Sequence, residues 1–272
     1  MAVLSIVRRL AGAGMLLAVL CSCDPYIENL FKNADSVSQR ASSITDFTAD
    51  FGSAYSVLLV SDVHFESGYE RPEKLFSYLA GLPSAPAACF VLGDLTRDTL
   101  RTEFESYLQF CDDLKQAGIG TVYAVPGNHD CDDGGGLYLS MVYPYKSCYR
   151  INTPGLSYYF LDSAEGSHGD EQISNLKAAM GRDAKKKIVL SHYPLYSSAF
   201  SDKLLKSTER AVLITLFAKS NVLRYICGHT HKQETQDFGS FTQTVLGDLH
   251  WSGQWAVLSV DEAAGTCTCV QY

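Results

Sequence analysis

The chain has 272 residues, of which 46% are hydrophobic and 19% are charged. This composition is ordinary for a packed globular protein and excludes a disordered polyelectrolyte, a collagen-like fibre and a coiled coil. The formal net charge of −8 has the wrong sign for a protein that binds the phosphate backbone of nucleic acid. We therefore expect no stable nucleic-acid partner, and the length allows one large domain or two small ones.

The first 23 residues have the pattern of an export signal. Arg8 and Arg9 precede an apolar stretch at residues 10–20, which is too short to span a bilayer that needs about 20 residues. A basic start, a short apolar segment and small residues after it are typical of a secretory signal peptide. We expect residues 1–23 to be removed or modified during export.

The end of this segment reads Leu20-Cys21-Ser22-Cys23, which resembles the lipobox of bacterial lipoproteins. The resemblance implies a lipid on Cys23 and membrane anchoring in the cell envelope, on the extracytoplasmic side of a bacterial membrane. Cleavage by an ordinary signal peptidase, giving a free periplasmic or secreted protein, is the alternative.

The remaining chain divides into a polar, Ser-rich tether or lead-in at residues 24–50 and one catalytic domain at residues 51–272. In chain order, apolar runs predict strands at 56–60, 89–92, 121–125, 148–151, 156–161, 187–190 and 222–226. Helical periods between them predict helices near 72–82, 104–114, 170–180 and 204–218. The alternation of strands and helices indicates an α/β core, to which the tail adds a second sheet.

Seven cysteines follow Cys23, an odd number without the spacing of a disulfide scaffold. Cys131 and Cys148 flank one loop of a chain expected to be exported, where disulfides persist. Whether these two cysteines pair is left open.

Polar clusters follow five of the predicted strands, and ligands of open α/β sheets bind beyond the carboxyl ends of strands. The clusters are Asp62-Val63-His64, Gly93-Asp94, Gly127-Asn128-His129-Asp130, Ser191-His192 and Gly228-His229-Thr230-His231. Carboxylate, imidazole and amide donors without ordered thiolates favour hard to borderline divalent cations. Along an extended chain, the period-two spacing of Asp62 with His64 and of His229 with His231 would turn both side chains of each pair the same way. Asp94 is the natural bridging ligand between two ions.

The order of these five blocks resembles the signature of the calcineurin-like metallophosphoesterases, over residues 57–231. The resemblance implies an α/β fold in four layers, an αββα sandwich of two mixed β-sheets flanked by helices. By position it implies two divalent metal ions, for which Mn, Fe and Zn are all candidates. One ion would be held by Asp62, His64, Asp94 and His231, and the other by Asp94, Asn128, His192 and His229.

The same resemblance assigns the catalytic groups: His129 as the general acid that protonates the leaving oxygen, and Asp130 as the residue that orients it. In such sites, two ions about 3.5–4 Å apart activate a bridging hydroxide for in-line attack on phosphorus. The expected function is a dinuclear-metal-dependent phosphoesterase acting on phosphomono- or phosphodiesters of a small organic molecule. A cyclic-nucleotide-type phosphodiesterase and a non-catalytic metal-binding envelope lipoprotein are the alternatives.

Other polar and aromatic side chains have simpler expected places. His168 is expected in an exposed loop, Asp98 at a helix N-cap, and His250 close enough to reach the rim of the site. Two arginines that follow Asp94 are candidates to meet a phosphate: Arg97 and Arg101. Two tryptophans near the end are expected to pack rather than bind substrate: Trp251 and Trp255.

Overall fold

The computed structural model describes Val37 and residues 39–272. The expected signal peptide, Cys23 and most of the expected lead-in lie outside the described residues. Within the described part, no helix is both long enough and apolar enough to cross a membrane.

Two β-sheets form the centre of the molecule. The seven-stranded sheet has the order β1-β5-β6-β7-β8-β10-β9, in which the strands are β1 (Thr45–Thr48), β5 (Tyr149–Asn152), β6 (Leu156–Phe160), β7 (Lys186–Leu190), β8 (Val222–Cys227), β9 (Glu234–Asp237) and β10 (Thr242–Val245). The five-stranded sheet has the order β12-β11-β2-β3-β4, with β2 (Ala54–Val60), β3 (Ala88–Leu92), β4 (Val122–Val125), β11 (Ala256–Asp261) and β12 (Thr266–Gln271). Both sheets are mixed, because each combines parallel and antiparallel pairs.

Both faces of the central strands are buried, which explains their continuous apolar runs. In β2, Val57 and Leu59 point into the core between the two sheets, where they meet side chains such as Phe160. The alternate residues, Leu58 and Val60, pack on the other face beneath helices.

Helices cover the outer face of each sheet. The five-stranded sheet is covered by α1 (Glu73–Ala80), α2 (Arg101–Gln116) and the short α3 (Gly136–Met141), and the seven-stranded sheet by α4 (Gly169–Arg182) and α5 (Ser207–Lys219). The order of layers is therefore helix, sheet, sheet, helix, and the predicted αββα sandwich is confirmed.

The folded part begins before the predicted boundary at residue 51. Thr45–Thr48 forms β1, which pairs in parallel with β5. Just before it, the buried Arg40 guanidinium binds Asp162 at 2.9 Å and Glu165 at 3.4 Å. The last part of the expected lead-in thus forms an edge strand and contributes to a buried ion pair. Its polar composition did not indicate either role.

Two local details also differ from the sequence-based expectations. Leu100, not Asp98, occupies the N-cap position of α2, and the Glu103 carboxylate accepts hydrogen bonds from the backbone N–H groups of both residues. The thiols of Cys131 and Cys148 are buried and unpaired, so the pair considered above is not formed.

Candidate active site

The carboxyl ends of β2, β3 and β4 from one sheet meet those of β7 and β8 from the other. The loops that leave these five ends carry every predicted metal ligand. Two clusters result, in which one potential ligand atom per residue lies within 4.8 Å of the others: Asp62, His64, Asp94 and His231 in the first, and Asp94, His192 and His229 in the second. Asp94 belongs to both, as expected of a bridging ligand.

In the first cluster, imidazole nitrogens lie close to carboxylate oxygens. His231 Nε2 lies 3.2 Å from Asp62 Oδ1, and His64 Nε2 lies 3.6 Å from Asp94 Oδ2. The two Nε2 atoms of His64 and His231 are 3.4 Å apart. Asp62 Oδ1 is fully buried and accepts no hydrogen bond of acceptable geometry within the described part of the chain. A buried carboxylate oxygen left in this state is expected to serve a cation.

The second cluster centres on His192, which is completely buried. Its Nε2 lies 3.3 Å from Asp94 Oδ2, 3.2 Å from Asn128 Oδ1 and 3.2 Å from His229 Nδ1. Its Nδ1 lies 2.7 Å from the carbonyl oxygen of Leu92, which can only accept a hydrogen bond. Nδ1 therefore carries the hydrogen in the neutral ring, and Nε2 keeps its lone pair for a ligand.

Five of the predicted ligands have left-handed backbone conformations: Asp62 (φ 53°), His64 (φ 39°), Asp94 (φ 52°), His229 (φ 70°) and His231 (φ 57°). The extended chain assumed from the period-two spacing is therefore wrong, although Asp62 and His64 do converge. Residues other than glycine rarely adopt this conformation and do so mainly at functional sites. The backbone turns sharply at each strand end and directs each of these side chains into the site.

Three glycines before the ligands leave room that no side chain could occupy. A Cβ atom on Gly127 would lie 2.1 Å from Asp94 Oδ1, and one on Gly228 would lie 2.5 Å from Asp62 Oδ2. A Cβ atom on Gly93 would lie 2.5 Å from His192 Nδ1. These glycines allow the ligand side chains to approach the neighbouring backbone closely.

In this site, burial and the attraction between opposite charges shift the pKa values of the side chains in opposite directions. Burial alone would raise the pKa of Asp94, but the nearby His192 holds it well below its usual range. Burial would lower the pKa of His192, but the Asp94 carboxylate raises it to about 9. Burial lowers the pKa of His64 to about 4, and burial together with His192 lowers that of His229 to about 3. In the metal-free site the carboxylates are therefore ionised and His64 and His229 are neutral, whereas His192 is protonated at neutral pH and must lose its proton before it can bind a cation.

His129 lies beside the first cluster, with its ring centre 4.9 Å from that of His64. Its backbone N–H donates to Asp94 Oδ1 at 3.0 Å, and its Nδ1 lies 2.6 Å from the carbonyl oxygen of Arg97. The carbonyl fixes the hydrogen on Nδ1, so that Nε2 is the atom left to transfer a proton.

The Asp130 carboxylate binds backbone N–H groups, whereas the resemblance assigns it to orienting His129. Its Oδ1 accepts hydrogen bonds from the backbone N–H groups of Leu95 and Thr96, both at 2.9 Å, and its Oδ2 accepts from Gly127 N–H at 2.8 Å. Burial and the Asp94 carboxylate raise the pKa of Asp130 to about 7, which these donors oppose. Asp130 therefore ties the loop after β3 to the loop after β4, while the Arg97 carbonyl holds the His129 ring.

Two aromatic rings stack on the imidazoles of predicted ligands, and no sequence motif indicated either ring. The Tyr193 ring lies 3.8 Å from the His229 ring at an interplanar angle of 30°, and the Trp251 ring lies 5.1 Å from the His231 ring at 25°. Trp251 is 61% exposed, so the expectation that it packs in the interior is wrong. Tyr193 immediately follows His192, which is the only signal that could have indicated it.

The comparisons with known proteins agree with this geometry. Residues 55–233 match the family model of calcineurin-like phosphoesterases, over well more than half of the chain. The chain belongs to this family. It is 28% identical over 175 residues to a protein of Colwellia psychrerythraea named as a probable cyclic nucleotide phosphodiesterase. That alignment covers 62% of this chain and 65% of the relative, so it spans less than two thirds of the relative's length.

Solved structures share the fold of this phosphoesterase. A dimetal phosphatase from Danio rerio superposes with a TM-score of 0.53 and 13% identity, covering 81% of this chain and all of that one. GAP50, the anchor in the inner membrane complex of Plasmodium, superposes with a TM-score of 0.59 and 13% identity, covering 81% and 88%. At these identities the likeness establishes the fold only.

The donor set of this phosphoesterase fits divalent metal ions. Each cluster offers oxygen and nitrogen ligands with no thiolate, and the orphaned Asp62 Oδ1 marks a position that a cation would satisfy. Asn128 supplies an amide oxygen next to the second cluster, as expected.

Four further side chains with expected places are His250, His168, Arg97 and Arg101. His250 reaches the rim, where its ring lies 6.2 Å from that of His64. His168 is 1% exposed, with Nδ1 2.8 Å from the carbonyl oxygen of Asp162, so the exposed-loop expectation is wrong. Arg97 pairs with Glu66 on the surface, and the Arg101 guanidinium lies 3.7 Å from a methionine sulfur.

Proposed function

We propose that this phosphoesterase hydrolyses phosphodiesters of small organic molecules at a pair of divalent metal ions. The observation that supports it most strongly is the convergence of seven donor side chains, from five strand ends of two sheets, on two clusters that share Asp94. The name of the Colwellia relative favours diesters over monoesters. The identity of the ions, among Mn, Fe and Zn, stays a prediction.

The position of each residue in the site determines the role that we propose for it. Asp62, His64, Asp94 and His231 would hold one ion, and Asp94, Asn128, His192 and His229 the other. When bound, two such ions neutralise phosphate oxygens and activate water as a nucleophile at neutral pH. The buried carbonyl of Leu92 orients the His192 ring, and the loops fixed by Asp130 hold Asp94 and Asn128 in register.

His129 would supply the proton for the leaving oxygen. The carbonyl of Arg97 holds Nδ1, so the imidazolium form would donate through Nε2. General acid catalysis contributes typically about 10²–10⁴-fold, and most for leaving groups of high pKa. We expect His129→Ala to keep both metals and to slow alkyl esters far more than 4-nitrophenyl esters. Equal losses on both kinds of ester would contradict the role of His129.

The test of the function uses residues 24–272, loaded with Mn²⁺. Hydrolysis of bis(4-nitrophenyl) phosphate is compared with hydrolysis of 4-nitrophenyl phosphate, with bound metal measured in parallel. We expect the diester to be preferred and its cleavage to be lost in Asn128→Ala. The matched control is Asn175→Ala, since the Asn175 side chain binds the backbone of Ser42 on the surface. A preference for the monoester would contradict the proposed phosphodiester substrates and indicate phosphomonoesters instead.

The non-catalytic alternative has a distinct signature in the same experiment. A metal-binding lipoprotein without activity would bind two ions and turn over neither ester with any of the candidate metals. The complete ligand set favours catalysis, because a site kept only for structure does not need the partly exposed His129 beside it.

We also propose that the protein is exported and anchored in the bacterial envelope through a lipid on Cys23. The proposal is supported by the N-terminal sequence alone. Phase separation in Triton X-114 of the full chain, expressed in a bacterium, tests it: the protein should enter the detergent phase. Cys23→Ser should move it to the aqueous phase, and Cys21→Ser, the neighbouring control, should not. Aqueous partitioning of the unchanged chain would support the free, secreted alternative.

A further inference from the structure

Trp251 is a large aromatic side chain that lies beside the candidate metal ligands and is widely open to solvent. Its indole ring lies 5.1 Å from the His231 ring and 5.0 Å from the His64 ring, yet 61% of the residue is exposed. The other tryptophan, Trp255, is 4% exposed. An exposed tryptophan loses the hydrophobic stabilisation that its size would give in a core, which suggests a use at the surface.

The loop that carries Trp251 is fixed to the site rather than loose. Asp248 Oδ1 accepts hydrogen bonds from the backbone N–H of Trp251 at 2.6 Å and of Ser252 at 2.8 Å, and Oδ2 accepts from the Ser252 hydroxyl at 2.6 Å. The backbone N–H of His250 donates to the carbonyl oxygen of Asp62 at 3.3 Å. The loop that carries the indole is therefore held against the backbone of Asp62, a predicted metal ligand.

A cleft of about 650 Å³ opens on this side of the site. Trp251 and His250 line it together with charged side chains of both signs, among them Arg71, Glu70 and Glu73. Its volume lies within the range of small-molecule sites, about 300–1,000 Å³. A group attached to a phosphate at the metal ligands could thus extend over the indole into a space of suitable size.

We propose that Trp251 is a specificity-determining residue, the platform on which a nucleobase of the phosphoester substrate stacks. The inference rests on the proposed phosphoesterase function and narrows its substrate class to esters that carry a flat heteroaromatic ring. An indole face stacks on any base, because every base has a π-face, and such stacking does not depend on sequence-specific hydrogen bonds. The ring and the phosphate would then be held at neighbouring positions, one by Trp251 and the other by the metal site.

A binding experiment tests the platform without using turnover. The chain has only two tryptophans, so Trp255→Phe leaves Trp251 as the single indole fluorophore. This variant is titrated with adenosine 5′-monophosphate and, as a control without a base, with ribose 5-phosphate, and chromatography verifies that each stays intact. We expect saturable quenching by the nucleotide and little change with the sugar phosphate. Equal responses to both compounds, or no response to either, would overturn the proposal.

A kinetic experiment separates the platform from a merely structural role. Thymidine 5′-(4-nitrophenyl) phosphate and methyl 4-nitrophenyl phosphate share a leaving group and differ in whether the retained group carries a base. Trp251→Ala should raise KM for the thymidine ester about 5- to 150-fold more than it raises KM for the methyl ester. Trp251→Phe, which keeps a flat ring, should restore most of the affinity. Bound metal is measured in every variant.

The outcomes distinguish the platform from the proposed function. If both esters are hydrolysed and Trp251→Ala impairs them equally, or lowers metal content, Trp251 supports the His231 ligand and the platform is wrong. If neither ester is hydrolysed but the nucleotide quenches Trp251 selectively, the platform stands and the phosphodiesterase function fails.

Discussion

Asp130 provides a sharp test of how the site is held, because the sequence and the structure give it different roles. If it oriented the imidazole of His129, its removal would alter proton transfer and leave the fold intact. If it ties the loops after β3 and β4 together, its removal should destabilise the protein and displace Asp94.

The magnitude follows from the hydrogen bonds that are lost. Asp130→Ala leaves three buried backbone N–H groups without their acceptor, those of Leu95, Thr96 and Gly127. At about 1–3 kcal/mol for each unsatisfied group, the loss is about 3–9 kcal/mol, and water that fills the space moves it towards the lower figure. Asp130→Asn replaces one acceptor oxygen with an NH₂ donor, so that one backbone N–H loses its acceptor. This variant should cost about 1–3 kcal/mol.

Urea unfolding of the metal-free protein, followed by circular dichroism at pH 8.5, measures these losses. At that pH the Asp130 carboxyl is ionised, since its pKa is about 7. Asp132→Asn is the matched control, because Asp132 is exposed in the next loop and its change should stay within about 0.5 kcal/mol. If Asp130→Ala were no less stable than Asp132→Asn, the loop-tying role would be refuted.

Three further predictions concern the site and its supports. Gly127→Ala places a Cβ atom 2.1 Å from Asp94 Oδ1 and should abolish tight metal binding in calorimetry, whereas Gly181→Ala, with open space around it, should not. In the metal-free protein His192 is protonated below its pKa of about 9, so metal affinity should rise about tenfold per pH unit from pH 6.5 to 8.5; a flat profile would contradict this. Arg40→Ala removes the cation that binds the buried Asp162 carboxylate and should lower the free energy of unfolding in urea by about 3–5 kcal/mol; a loss below 1 kcal/mol would show the pair to be unimportant.

Local patterns predicted the α/β alternation and the grouping of the ligands, whereas the four layers were implied by the resemblance to the family. Apolar runs such as residues 89–92 announce strands that are buried on both faces, and each polar cluster directly follows such a run. Since the carboxyl ends of parallel strands meet at one edge, Asp62 and Asp94 had to lie close together once β2 and β3 paired.

The errors came where contacts join residues far apart in the chain. His168 reads as part of a polar loop, yet its burial depends on packing against Asp162 and Glu209. Trp251 lies 20 residues after His231, and nothing in that spacing indicates that the two rings stack. The His129 ring forms a hydrogen bond with a backbone carbonyl. Every residue has such a group, so no residue type in the sequence indicates this contact.

The left-handed conformations of the ligands show how the fold and the site are linked. A residue other than glycine in this region costs of order 1–3 kcal/mol, and five predicted ligands share it, with the aspartates towards the lower end. The hydrogen bond that the Leu92 carbonyl accepts from His192, the backbone donors to Asp130 and the glycines that admit close contact together hold the site in this geometry. Such strain persists only where the surroundings determine the backbone strongly, so the ligand geometry should be largely formed before any ion binds. A metal ion would then gain affinity from a site whose ordering has already been achieved by folding.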